Sequence, residues 1–131
     1  MLYLDSSALV KLVVHEPESA ALRDFLTTQG QRCVTSALAR VEVVRAVAEQ
    51  GDPALALAAL VLSRCDQVAV TVDLLDRAAR LPPPALRSLD AIHLASASRL
   101  QPGLTSVVAY DRRLLTAADE FGLPTTSPGQ N

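Results

Sequence analysis

Tryptophan is absent, and two Tyr with two Phe bring the aromatics to only 3% of 131 residues. A base-stacking platform or an aromatic-lined sugar groove has too few rings to be built. The only cysteines, Cys33 and Cys65, stand far apart. That excludes a disulfide scaffold and a zinc site of paired cysteines, and leaves two buried free thiols. Lysine is almost missing: Lys11 stands against eleven Arg, and the formal net charge is −2. A cationic coat for indiscriminate nucleic-acid binding is therefore excluded. The longest uncharged apolar run, Ala54 to Leu62, is too short to span a bilayer. No basic flank precedes the first apolar residues, and Asp5 interrupts them, so a signal peptide is not expected. The expectation is a cytoplasmic protein with no membrane partner.

What is present is a core. Hydrophobic residues make up 50% and charged residues 20%, the balance of one globular domain. Met1 to Leu4 reads as a buried strand, and Ser6 or Ser7 caps a helix through Val13. Pro17 opens a second helix that Gly30 closes. Arg32 to Thr35 reads as a second strand, followed by a helix from Thr35 or Ser36 to Gln50. Ala54 to Leu62 is apolar nearly all round and reads as a core helix. Gln67 to Val72 is a third strand, and Asp73 caps the helix after it. Pro82-Pro83-Pro84 is a rigid connector to a helix capped by Ser88. Thr105 to Tyr110 is a fourth strand, Leu114 to Phe121 a last helix, and Pro124 to Thr126 a short final strand. Strands alternating with helices predict a three-layer α/β/α sandwich around a mainly parallel sheet of four to five strands. One domain is expected over 1–126, with a frayed tail over 127–131.

Four acids stand out. Asp5 follows the first strand and Asp111 the fourth, and open parallel sheets bind ligands beyond such strand ends. Either could instead be an ordinary turn aspartate. Glu42 shares the apolar side of its helix with Leu38, where an isolated carboxylate is costly. The plainer alternative pairs it with Arg45 at i,i+3 on the surface. Asp90 lies in a first helical turn, where the dipole favours an anion whether or not it binds anything. Four carboxylates converging on one sheet edge would suit Mg²⁺, with Mn²⁺ as a substitute, because hard cations take oxygen ligands. Such a site activates a water for phosphodiester cleavage. Paired glycosidase carboxylates would use two of these acids, but lack aromatic platforms here.

The residues also resemble a known family. Tyr3-Leu4-Asp5-Ser6-Ser7-Ala8-Leu9-Val10-Lys11, Thr35-Ser36 with Val41-Glu42-Val43, Leu89-Asp90-Ala91-Ile92-His93-Leu94-Ala95 and Tyr110-Asp111-Arg112-Arg113-Leu114 resemble, in order, the four motifs of the PIN-domain nucleases. More narrowly they resemble the VapC-type toxins of bacterial toxin–antitoxin pairs. The resemblance implies a metal-dependent endoribonuclease with Asp5, Glu42, Asp90 and Asp111 as catalytic and metal-binding acids. It implies a cognate antitoxin, an RNA substrate, a homodimer and a toxin–antitoxin hetero-oligomer. Ser6 matches the family's small hydroxyl residue after the first acid. Ala109 stands where the family often has Thr or Ser, so one polar contact near the metal is expected to be missing.

Setting the four acids aside turns the formal charge positive, so a cation-filled site could face RNA. Arg87, Arg112 and Arg113 flank Asp90 and Asp111 and are the candidates for phosphate contacts, against the plainer reading of solvated helix-end arginines. His93, one turn after Asp90, reads as a packing or capping histidine. His15 reads as a surface partner of Glu16 and Glu18. Because crowded carboxylates repel, Glu42, mid-helix, is expected to bear more of that cost than Asp90. The alternative function is a PIN-like RNA- or protein-binding module without cleavage, which the loss of any acid would favour; all four are present. A phosphoryl-transfer domain of another kind needs a second acid close to the first or a late lysine, and neither occurs.

Overall fold

The computed structural model describes residues 1–130. Its elements are β1 (Leu2–Leu4), α1 (Ser6–Val13), α2 (Ser19–Gln29), β2 (Cys33–Ser36), α3 (Ala39–Val47), a 3₁₀ turn (Ala48–Gln50) and α4 (Asp52–Ser63). Then come β3 (Asp66–Val68), α5 (Val72–Ala79), α6 (Ser88–Ser98), β4 (Ser106–Val108), α7 (Arg112–Glu120) and β5 (Thr125–Thr126). The five strands are all parallel, in the order β3-β2-β1-β4-β5. The expected sandwich and sheet are therefore present.

The sheet's two faces follow from side-chain alternation along β1. Leu2 and Leu4 pack with Ala8, Leu9, Val43 and Val47 on the α1–α4 side. Tyr3 points the other way, with Leu94, Leu114 and Ala118 of α6 and α7. All three β1 residues are fully buried. Each leucine so placed contributes about 1.5–3 kcal/mol. Because β1 pairs with β2 on one side and β4 on the other, strand order reverses there. A crevice opens beyond the carboxyl ends of strands at such a reversal.

Several boundaries differ from the expected ones, each for a local reason. The third strand stops at Val68, because Thr71 Oγ1 accepts from Leu74 N–H and caps α5 in place of Asp73. Asp5, not Ser6 or Ser7, caps α1, since its carboxylate reaches Ala8 N–H. The helix expected to reach Gln50 tightens to 3₁₀ after Val47 and ends at Gly51, whose φ of +93° suits only glycine. α4 is not a core helix all round: Ala58 and Leu62 are buried while Leu57 and Leu60 are exposed. The start of the tail is held rather than frayed. Ser127 donates to the Ala109 carbonyl and the Tyr110 hydroxyl to that of Pro128, both at 2.7 Å. Asn131 lies outside the described residues. Cys33 and Cys65 are free and only partly buried. Among the described residues no helix is long and apolar enough to cross a membrane.

Candidate active site

The carboxyl edge of β1 carries Asp5. The residue is 4% exposed, and its Oδ1 accepts from the Ser7 hydroxyl at 2.6 Å and from Ala8 N–H at 3.0 Å. Burial pushes its carboxyl up, the nearby Asp111 adds to this, and the two hydrogen bonds offset part of it. The Ser7 hydroxyl in turn accepts from Tyr110 N–H at 3.0 Å, which ties the end of β4 to the first turn of α1. Asp111 follows Tyr110 and caps α7, its Oδ1 accepting from Arg113 N–H at 2.9 Å and Leu114 N–H at 3.0 Å. Both strand-end acids are thus also helix caps.

Glu42 comes from α3, which begins after β2 through a turn in which Ser36 Oγ accepts from Leu38 N–H. Its Oε1 accepts from the Ser6 hydroxyl at 2.7 Å and stands 2.6 Å from His93 Nε2. Among the described residues it makes no ion pair with Arg45, so the surface pairing is not formed. Burial pushes the Glu42 carboxyl up, but the His93 and Ser6 contacts outweigh it and hold the group below its usual range. Asp90, in the first turn of α6, goes the other way. Burial and the charge of Asp111 raise it, while His93 and Arg87 pull it down in part. The expectation that Glu42 bears the greater crowding cost is corrected: Ser6 and His93 stabilise its charge, and no hydrogen bond among the described residues reaches the Asp90 carboxylate.

A pH-dependent consequence follows in metal-free protein. Glu42 sits below its usual range, so its contribution is present above about pH 4.3 and fades as acid protonates it. Asp90 sits above its usual range, so its contribution is full below about pH 3.9 and is lost as pH rises through its folded value. At neutral pH Glu42→Gln should therefore destabilise, by up to the roughly 1.5–3 kcal/mol of a hydrogen bond to a charged group. Asp90→Asn should stabilise, by an amount that shrinks towards acid. Thermal melting of both variants and the parent across this pH range checks the opposite signs.

The four acids couple through charge without closing into a shell: among the described residues no group of three or more His, Cys, Asp or Glu is arranged to hold a metal ion. The donor set nonetheless fits a hard cation. Asp5, Glu42 and Asp111 each commit one oxygen to N–H or O–H donors, and the other accepts no hydrogen bond among the described residues. Raised carboxyls at Asp5 and Asp90 are what a neighbouring cation would relieve. Ser6, Ser7, Glu42 and Asp111 line an open cavity of about 430 Å³. Ala109 is buried and offers only its carbonyl, which Ser127 occupies.

Arg87 directly precedes α6, and Arg112 and Arg113 open α7. All three line one cavity of about 800 Å³. Lys11 is a structural cation, between Glu16 and Glu18 at 3.4 Å each and 4.6 Å from the Tyr110 ring centroid. Those glutamates therefore pair with Lys11 rather than His15. His93 is the residue that sequence reasoning most easily passes over. It is 3% exposed and joins Glu42 to the Tyr3 hydroxyl, and its one available signal is the i,i+3 spacing from Asp90.

The PIN-domain profile matches residues 2–120. Ribonuclease VapC46 of Mycobacterium tuberculosis is 47% identical, the match covering 97% of each chain. Ribonuclease VapC47 of the same species is 44% identical over 98% of each. Among solved structures, M. tuberculosis VapC20, described as a sarcin–ricin loop cleaving toxin, superposes with a TM-score of 0.76. It covers 98% of this chain and 100% of that one, at 19% identity, a likeness of fold. With a domain profile over most of its length and relatives matched end to end, the chain belongs to the PIN-domain family, in its VapC-type group.

Proposed function

We propose that this protein is a metal-dependent endoribonuclease and the toxin of a toxin–antitoxin pair. The observation that supports the proposal is electrostatic: the charge of Asp111 raises both Asp5 and Asp90, and that of Glu42 raises Asp90, at the edge where the strand order reverses. These four acids would hold Mg²⁺ or Mn²⁺, which polarises the phosphodiester and supplies an activated water when bound. Asp5 and Asp111 each hold one carboxylate oxygen on a helix-capping N–H and present the other, so less side-chain ordering is needed on binding. Ser6 turns Glu42 toward the same cavity that Asp111 lines.

Arg87, Arg112 and Arg113 would hold phosphates beside the cleaved bond. None has an acidic partner within ion-pair distance among the described residues, so their charge is available to a polyanion. Replacing all three by Gln should raise KM more than it lowers kcat. The slope of log affinity against log salt should shallow by about 0.7 for each single-strand phosphate left without its arginine, and by about 2 for three. An unchanged slope removes the arginines from the RNA path.

Val41 and Val44 on α3 and Leu57 and Leu60 on α4 are exposed and would offer apolar contacts to the proposed homodimer or the cognate antitoxin. The toxin reading is tested by inducing the chain alone in growing bacteria. Growth should stop with RNA fragmented, and Asp90→Asn should leave growth intact. Unimpaired growth with soluble parent protein accumulating overturns it.

A further inference from the structure

We infer that His93, itself held by Tyr3, is a positioning residue that fixes the Glu42 carboxylate in the site. Three elements meet at this point. Tyr3 lies in the central strand β1 and is fully buried, His93 lies in α6, and Glu42 lies in α3. The Tyr3 hydroxyl stands 2.7 Å from His93 Nδ1, and His93 Nε2 stands 2.6 Å from Glu42 Oε1. The Tyr3 and His93 rings meet edge-on, with centroids 6.0 Å apart.

The chemistry of the two ends sets the direction of the chain of hydrogen bonds. An ionised carboxylate only accepts, so Nε2 carries the hydrogen given to Glu42. In the neutral ring Nδ1 is then the acceptor, and the Tyr3 hydroxyl donates to it. Glu42 thereby selects the tautomer, and the Tyr3 hydroxyl supplies the donor that the other ring nitrogen then needs. His93 and Ser6 both converge on Oε1, which leaves Oε2 without a hydrogen bond among the described residues. One oxygen is locked and the other is free for a ligand. His93 is also one helical turn from Asp90, so its hydrogen bond to Glu42 ties the helix that carries Asp90 to the helix that carries Glu42.

A histidine that merely packs would need its two nitrogens satisfied and nothing more. This one is satisfied through a carboxylate of the proposed site, and the inference rests on that reading of Glu42. The partners that orient metal-binding side chains affect metal affinity or activity by about 10–100-fold when removed.

The test uses Mn²⁺ alone as the probe, its binding followed by electron paramagnetic resonance. It is joined by kcat and KM on a labelled RNA that the parent cuts, and by melting temperature. His93→Asn keeps a group that can meet Tyr3 but is too short to reach Glu42, whereas His93→Gln places an N–H near the position of Nε2. Tyr3→Phe removes one oxygen and leaves the ring in the core. Tyr3→Phe and His93→Asn should weaken Mn²⁺ binding and lower kcat, each by about 10–100-fold, with KM little changed. His93→Gln should recover most of both. Folded His93→Asn with the parent's Mn²⁺ affinity and kcat overturns the inference, and so does equal loss in His93→Asn and His93→Gln. Should His93→Asn not fold, Tyr3→Phe decides: parental Mn²⁺ affinity in that variant overturns it. Glu42→Gln separates the two levels. If it binds Mn²⁺ like the parent, the site reading fails; if it loses Mn²⁺ while the His93 and Tyr3 variants keep it, only the role of His93 fails.

Discussion

Asp111→Asn should cleave RNA at least about 100-fold more slowly than the parent, beyond the range for removing a ligand's supporting partner, yet melt no lower. The two effects separate because the capping role of Asp111 falls on Oδ1 and its proposed catalytic role on the other oxygen. Its Oδ1 caps α7 through Arg113 and Leu114 N–H, and Asn caps helices as well as Asp does. The lost charge also relieves Asp5 and Asp90, both raised by Asp111. Asp111→Ala should lose the same activity and, in addition, about 0.5–2 kcal/mol of stability from the missing cap. Steady-state cleavage and thermal melting of the two variants check this. Equal melting of the Ala and Asn variants removes the capping role, and parental cleavage in Asp111→Asn removes the catalytic one.

The second large effect is on stability. A cation bound only by the folded protein at a hundredfold excess over its Kd stabilises by about 2.7 kcal/mol. For a chain of this size that raises the melting temperature by roughly 10 °C. The acids at the β1 and β4 ends repel one another without metal, so the parent should show this rise with Mg²⁺ or Mn²⁺. Asp5→Asn, which keeps its cap on Ala8 N–H, should show little of it. Falling pH should erase the rise in the parent, since protons compete for Asp5 and Asp90, whose carboxyls already lie above the usual range. Differential scanning calorimetry with and without metal reads both. An equal rise in parent and Asp5→Asn places the cation elsewhere on the protein.

The strand-end acids are legible in the sequence because their meaning is local: Asp5 abuts an apolar strand, and Asp111 stands between a strand and a helix. Parallel β1 and β4 are legible from the βα alternation, and strand reversal at β1 then puts both acids on one edge. What the sequence hides is pairing over distance. Glu42 reads as a charge in trouble on an apolar helix face, because Ser6 and His93 are 36 and 51 residues away. His93 reads as filler because Tyr3 is 90 residues away. Local competition hides the rest. Val70 to Val72 has the composition of a strand, but the Thr71 cap hands Val72 to α5. The tail has the composition of a frayed end, but the Tyr110 hydroxyl reaches back to Pro128.

Four carboxylates at the β1–β4 crevice are proposed to direct RNA cleavage through a divalent cation. The most direct test is one cleavage assay on labelled RNA with purified protein, run with Mn²⁺, then with excess EDTA, then with Mn²⁺ restored, alongside Asp90→Asn. Cutting should stop with EDTA, return with Mn²⁺, and be absent from the variant throughout. Cutting that persists in excess EDTA, or that Asp90→Asn retains, contradicts the proposal.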